Sequence, residues 1–182
     1  RDMYQIRSNG FNIVRLGHYP QATAALDACD ELGLLAIEPI PGWQFFNKNP
    51  LFISLTHRDV RDMIRRDRNH PSTFMWEPVL NETHFPKEYA CNAKKIVDEE
   101  YPYEQALSAC DPGSPGSDCF PVIYTHPTSV SGGKKSVYNA GTLKEETMYF
   151  TREFGDNVDD WNSHNSNSRV HRSWGESPML QQ

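Results

Sequence analysis

The sequence lacks the patterns that identify several classes of protein. Its longest apolar runs fall far short of the roughly 20 residues that a transmembrane helix needs. Lys and Arg number 18 against 24 for Asp and Glu, so the formal net charge is −6. A negative balance of this kind argues against binding to nucleic acid. We therefore expect neither a membrane nor a nucleic acid as partner.

Metal-binding motifs are missing too. The four cysteines show no C-x-x-C spacing, and the seven histidines form no H-x-H or H-E-x-x-H pattern. A zinc site usually needs such spacing, so we expect no metal and no cofactor. Cys110 and Cys119 flank a loop rich in Gly, Pro and Ser and could pair with each other in an oxidising compartment.

Apolar and aromatic residues are plentiful, at 37% and 12% of the 182 residues. Such a composition favours a folded core over disorder, and the length suits one domain. We therefore treat residues 1–182 as a single domain. The first residue is Arg1, and we expect the chain to be a piece of a longer, multidomain protein.

Short apolar runs alternate with longer amphipathic segments. The predicted strands span 11–16, 34–39, 73–79, 120–127 and 147–156, with a weaker one near 106–109, and the predicted helices span 21–33, about 55–68 and 87–102. Strands this apolar, separated by helices, indicate a parallel sheet in an open doubly wound fold or a (β/α)8 barrel. No G-x-G-x-x-G follows the first strand, which disfavours the dinucleotide-binding folds.

Polar side chains follow the predicted strands at the edge where both folds place their active sites. In chain order these residues are Arg15 and His18; Glu38; Asn81 and Glu82; Tyr124 and His126; and Arg152, Glu153 and Asp156. Two convergent carboxylates about 5–5.5 Å apart suit a retaining glycosidase, whereas about 6.5–9.5 Å suits an inverting one. Glu77, five residues before Glu82, is expected to be structural.

Several segments together carry a family resemblance. "NIVRLGHYP", "DACDELGLL", "RRDRNHPSTFMWEPVLNET" and "TREFGD" resemble the catalytic barrel of glycoside hydrolase family 2, which includes β-galactosidases, β-glucuronidases and β-mannosidases. The resemblance runs from about Gly10 to Asp156. It implies a partial (β/α)8 barrel that holds strands two to seven, with the first and eighth strands absent.

The resemblance also implies a role for each matching residue. Glu82 would be the general acid/base and Glu153 the nucleophile. Asn81 would bind the sugar 2-OH, and His18 would contact the sugar. Arg15 would keep Glu153 ionised, since a nearby cation favours the carboxylate, and Tyr124 would orient it.

The sequence also departs from the family pattern. The magnesium-dependent β-galactosidases carry a Glu-Thr-His run after the third strand, where this chain reads "IEPIPGWQFF", so we expect no magnesium. Trp43, Phe45 and Phe46 could instead form an aromatic platform for a sugar, or could anchor the loop. Asp156 stands where several β-galactosidases have histidine, and Trp161 is expected near the sugar in place of the missing eighth-strand tryptophan.

The resemblance implies a retaining exo-glycosidase of the β-galactosidase type, acting on oligosaccharides or polysaccharides. The alternatives are a β-glucuronidase or β-mannosidase, or a non-catalytic carbohydrate-binding barrel. The expected partners are a carbohydrate and the remaining domains of the parent enzyme, with the oligomeric state left open. The resemblance to bacterial enzymes implies a periplasmic or secreted location.

Overall fold

The computed structural model describes residues 1–80, 82–101, 106–125 and 147–151. The chain divides into two compact units, Arg1–Tyr124 and Thr125–Gln182, and each is described by itself. Within the described residues, no helix is both long enough and apolar enough to cross a membrane.

Helices and strands alternate along the first unit. In chain order they are α1 (Asp2–Ser8), β1 (Ile13–Arg15), α2 (Thr23–Leu32), β2 (Leu35–Pro39), α3 (Pro50–Asp67), β3 (Thr73–Glu77), α4 (Lys87–Glu100), β4 (Ala109–Cys110), a 3₁₀ turn (Ser117–Cys119) and β5 (Val122–Thr125). The second unit contains the strand β6 (Met148–Thr151).

The strands of the first unit lie side by side in the order in which they occur in the chain. β1 pairs in parallel with β2, β2 with β3, and β4 with β5. A parallel bridge between Trp76 and Ser108 links β3 to the residues that enter β4. Sequential parallel strands with helical crossovers are the repeating unit of a (β/α)8 barrel. The predicted partial barrel is therefore confirmed.

Alternation along the strands separates two faces of this sheet. Arg15, Ile37 and Met75 are in register across β1, β2 and β3, and Glu77 follows Met75 on the same face. The neighbouring residues in sequence point to the helices: Leu16 packs with Leu26 of α2, and Trp76 packs with residues of α3 and α4 in the larger core. The sheet thus keeps one face for the helices and one for the barrel interior.

Helix α3 begins earlier than predicted, at Pro50 instead of about Leu55. The side chain of Asn49 accepts a hydrogen bond from the Leu51 N–H, and Pro50 occupies the first helical turn. Both are typical signals of a helix start, because the cap satisfies an otherwise unpaired N–H and proline has no N–H to lose. The aromatic loop before the helix is correspondingly shorter.

The Cys110–Cys119 pairing that the sequence left open does not form: Cys119 is bonded to Cys91, with 5.5 Å between their Cα atoms. Cys110 takes no part in this disulfide and is fully buried in the core. The 3₁₀ turn packs closely against α4. Only a glycine fits at position 116, since a Cβ there would lie 2.8 Å from the Ala90 Cβ. This close approach places Cys119 beside α4, where Cys91 lies.

Glu38 is the second correction. It was expected at the active edge of the sheet, but its side chain points into the layer between β2 and the helices. There it is fully buried, and neither carboxyl oxygen has a hydrogen-bond partner among the described residues. Burial, followed by the charge of Asp67, raises the pKa of Glu38 to about 7, while Arg66 and His70 act in the opposite direction.

This carboxyl makes the stability of the fold depend on pH. The ordinary pKa of 4.5 rises to about 7 on folding, so the folded state binds more protons between these values. The free energy of unfolding should therefore fall as the pH rises through this window, by roughly 3 kcal/mol. Urea unfolding at pH 4.5, 6 and 8 measures the slope, and Glu38→Gln should remove it. The exposed Glu31→Gln serves as control, and an unchanged slope in Glu38→Gln would refute the assignment.

Candidate active site

A buried ion pair lies at the carboxyl ends of β1 and β3. Arg15 Nε donates to Glu77 Oε2 at 2.7 Å, and Arg15 Nη2 donates to Glu77 Oε1 at 2.6 Å. From β5, the Tyr124 hydroxyl donates to Glu77 Oε2 at 3.1 Å. The Arg15 guanidinium carbon also lies 5.9 Å from the centroid of the Tyr124 ring. Three strand ends thus converge on one carboxylate.

Glu77 was expected to be structural, and its partners were expected to serve a different carboxylate. Arg15 and Tyr124 were assigned to Glu153, which lies outside the described residues, so that assignment stays a prediction. Within the described part of the chain, both side chains bind Glu77. One signal could have indicated this contact: Glu77 shares the alternation of Met75 and so faces the barrel interior, as Arg15 does.

His18 connects this ion pair to the aromatic loop after β2. Its Nδ1 lies 3.4 Å from Arg15 Nη2. Its ring stacks on Trp43, with 5.4 Å between the ring centroids and 5° between the planes. His18 therefore lies between two groups of the candidate site, and its contact with a sugar stays a prediction.

Glu82 follows β3 in an exposed loop and adopts a left-handed backbone conformation, with φ of +46°. Its N–H donates to Asp111 Oδ2 at 3.0 Å. Its side-chain Oε2 accepts one hydrogen bond from Trp43 Nε1 at 3.1 Å and another from Gln44 Nε2 at 3.0 Å. Both the backbone and the carboxylate of Glu82 are thus held by residues distant in sequence.

The aromatic loop divides between the two roles that were left open for it. Phe46 packs edge-on against Phe52 and Tyr89, and Phe45 packs edge-on against Phe52, so both anchor the loop. Trp43 and Phe45 are similarly exposed, at 54% and 58%, but Trp43 also donates a hydrogen bond to Glu82. Trp43 therefore lies with Glu82 in the candidate site, whereas the two phenylalanines pack against the helices.

Gly42 fixes the approach of this loop to the sheet. Its φ is +128°, a conformation that other residues rarely adopt. A Cβ at this position would also collide with Leu80 Cδ2. The loop therefore passes directly over the segment that leads to Glu82. Gln44 also has a positive φ, of 55°, and its contact with Glu82 was not foreseen from the sequence.

The remaining predicted residues fall outside the described part of the chain. They are Asn81, His126, Arg152, Glu153, Asp156 and Trp161. The separation between the carboxylates of Glu82 and Glu153 accordingly stays a prediction. The structure does bring together Arg15, His18, Trp43, Glu82 and Tyr124, all of which were predicted as site residues.

One group of possible metal ligands occurs among the described residues. Asp27, Asp30 and His70 place one ligand atom each within 4.8 Å of one another. Asp30 already accepts hydrogen bonds from the Ser72 N–H at 2.8 Å and contacts His70 Nδ1 at 2.7 Å. His70 precedes β3, so this group lies at the amino ends of the strands, away from Glu82. Its contacts account for it as a structural network that ties α2 to the start of β3.

Polar and aromatic side chains at the carboxyl ends of parallel barrel strands define the site of an α/β-barrel enzyme. The family description "Glycosyl hydrolases family 2, TIM barrel domain" matches residues 1–104, more than half of the chain. The chain belongs to this family.

Individual relatives agree with the family. A β-galactosidase from Thermoanaerobacterium thermosulfurigenes is 44% identical over 94 residues, which are 52% of this chain and 13% of that protein. A β-glucuronidase from Pongo abelii is 39% identical over 89 residues, which are 45% of this chain and 13% of that protein. The chain thus spans about an eighth of the length of these relatives.

Solved structures share the fold. The apo structure of Bacteroides uniformis β-glucuronidase 3 superposes with a TM-score of 0.61 at 26% identity. The match covers 71% of this chain and 18% of that one. The similarity therefore extends beyond the segment that the family description matches.

Proposed function

We propose that the protein carrying this chain is a retaining β-glycosidase that removes a terminal sugar, with β-galactosides as the leading substrate class. The observation that carries the proposal is the position of Glu82. Its carboxylate follows β3 and is held by Trp43 and Gln44. Trp43 in turn stacks on His18, and His18 contacts Arg15. A carboxylate fixed at this edge of a barrel is suited to proton transfer.

In the proposed reaction, Glu153 attacks the anomeric carbon and forms a glycosyl-enzyme ester. Glu82 donates its proton to the glycosidic oxygen as the bond to the leaving group breaks, and the bonding electron pair stays on that oxygen. Glu82, now a carboxylate, then takes a proton from water. The resulting hydroxide oxygen attacks the anomeric carbon and releases Glu153, so the product keeps the β configuration.

Two observations favour a neutral sugar over a glucuronide. The relative named β-galactosidase is more similar than the one named β-glucuronidase, at 44% against 39% identity. A glucuronide carries a carboxylate that a cation would have to bind. Arg15 is such a cation in the described part of the site, but it is already paired with the Glu77 carboxylate. A sugar carboxylate would compete with Glu77 for this charge, whereas a galactoside would not.

The experiment is a panel of p-nitrophenyl β-glycosides assayed with the full-length protein. We expect the galactoside to be cleaved with the highest kcat/KM, followed by the glucuronide and mannoside. NMR of the first-formed product should show the β anomer. A first-formed α anomer would refute the retaining mechanism. A preference for the glucuronide would correct the substrate, and inactivity on the whole panel together with sugar binding would favour the non-catalytic barrel.

A further inference from the structure

Two hydrogen bonds to the Glu82 side chain are directed at one atom. Trp43 Nε1 and Gln44 Nε2 both donate to Oε2, at 3.1 and 3.0 Å. An indole nitrogen can only donate, so Oε2 must act as an acceptor for Trp43 in either protonation state. An oxygen whose acceptor sites face two N–H groups is a poor place for a proton. When Glu82 is protonated, its proton therefore belongs on Oε1.

The backbone conformation and the aromatic contacts of the loop hold Trp43 and Gln44 beside Glu82. Gly42 takes a backbone conformation reserved for glycine and lies against Leu80, and Gln44 has a positive φ. A non-glycine residue in the left-handed region is strained, and such strain persists when the surroundings hold the residue in place. Phe45 and Phe46 fasten the other side of the loop to α3 and α4. The Trp43 ring is held separately, by its stack on His18.

From this geometry we propose that Trp43 and Gln44 are positioning residues for the general acid, which confine the acidic proton to Oε1 of Glu82 and fix the direction in which it is delivered. The proposal rests on the proposed function, in which Glu82 protonates the glycosidic oxygen. After the proton has left, the same two N–H groups stabilise the carboxylate. Neither residue exchanges a proton with the substrate.

Leaving groups of different acidity provide the test. A 2,4-dinitrophenolate departs without a proton, whereas the oxygen of a methyl glycoside or a disaccharide must be protonated as it leaves. The variants are Trp43→Phe, which keeps a ring on His18 but removes the N–H, and Gln44→Leu, which removes the amide. The matched control is Gln5→Leu, at an exposed position on α1.

For each variant of the full-length protein, kcat/KM is measured on a 2,4-dinitrophenyl β-galactoside and on the corresponding disaccharide. We expect a loss of about 10-fold or more on the disaccharide, since a hydrogen bond to a charged group contributes about 1.5–3 kcal/mol and 1.36 kcal/mol is tenfold in rate. The loss on the dinitrophenyl substrate should stay within about twofold. The control should match the parent protein on both, and thermal unfolding of each variant verifies that it is folded.

Equal losses on both substrates would overturn the proposal, because they would indicate that the loop binds the sugar or shapes the site generally. No loss on either substrate would overturn it as well. Glu82→Gln distinguishes failure of this proposal from failure of the proposed function. If Glu82→Gln loses activity on the disaccharide but the loop variants do not, only the positioning role is refuted. If Glu82→Gln loses nothing, the proposed function fails and the positioning role fails with it.

Discussion

Replacing Glu82 by glutamine is expected to lower kcat/KM on an unactivated β-galactoside by about 10²- to 10⁴-fold, the usual contribution of a general acid/base. In the parent protein, Trp43 Nε1 and Gln44 Nε2 donate to Glu82 Oε2. Glutamine has nearly the same size and still offers these two groups an oxygen. The loop should therefore keep its conformation. The variant loses only the proton that would be delivered to the glycosidic oxygen.

The control for this variant is Glu88→Gln, an equally exposed carboxylate in the first turn of α4. It should leave kcat/KM unchanged, because among the described residues no contact connects it to the site. Azide sharpens the test, since this anion can attack the glycosyl-enzyme without help from a base. We expect azide to restore turnover of an activated substrate by Glu82→Gln. A variant that hydrolyses the disaccharide as fast as the parent protein would remove Glu82 from the mechanism.

Replacing Glu77 by alanine is expected to lower the free energy of unfolding by about 3–5 kcal/mol, because it leaves a buried charge without its partner. The side chains of Arg15 and Glu77 are only 9% and 2% exposed. Glu77 also accepts the hydrogen bond of the Tyr124 hydroxyl, so the variant removes this buried contact as well as the ion pair. Urea unfolding of the full-length protein measures the change.

The double variant Arg15→Met/Glu77→Leu separates the charge from the packing. Replacing both partners with apolar side chains of similar volume is often neutral or stabilising, so this variant should recover most of the lost stability. It should nevertheless be inactive if Arg15 serves the site. The exposed pair Arg58–Asp62 supplies the comparison, and Asp62→Ala should cost no more than about 1 kcal/mol. A Glu77→Ala loss as small as that would show that the buried pair contributes little.

The partial barrel could be predicted because it depends on local patterns. Short apolar runs predicted the strands and amphipathic segments predicted the helices. Both lie near their observed positions, from β1 at Ile13–Arg15 to α4 at Lys87–Glu100. Parallel strands bring their carboxyl ends to one edge, so Arg15, Glu82 and Tyr124 could be placed together from the sequence alone. The start of α3 was missed, although the Asn49-Pro50 signal for it is local.

Contacts between distant residues could not be predicted in the same way. Arg15 and Glu77 are 62 residues apart, and Trp43 and Glu82 are 39 apart. Several carboxylates compete for Arg15 in the sequence, and only the register of β1, β2 and β3 decides that Glu77 meets it. The choice of Cys91 over Cys110 as partner of Cys119 likewise depends on how closely the 3₁₀ turn packs on α4.

The sequence by itself determined the family, the parallel strands and the carboxylate at the end of β3, because each follows from short-range order and strand polarity. The tertiary structure decided which face of β2 carries Glu38 and that the Glu77 carboxylate pairs with Arg15. It also decided that Trp43 and Gln44 both donate to Oε2 of Glu82. These last features depend on distances of about 3 Å between segments far apart in the chain, and only packing fixes such distances.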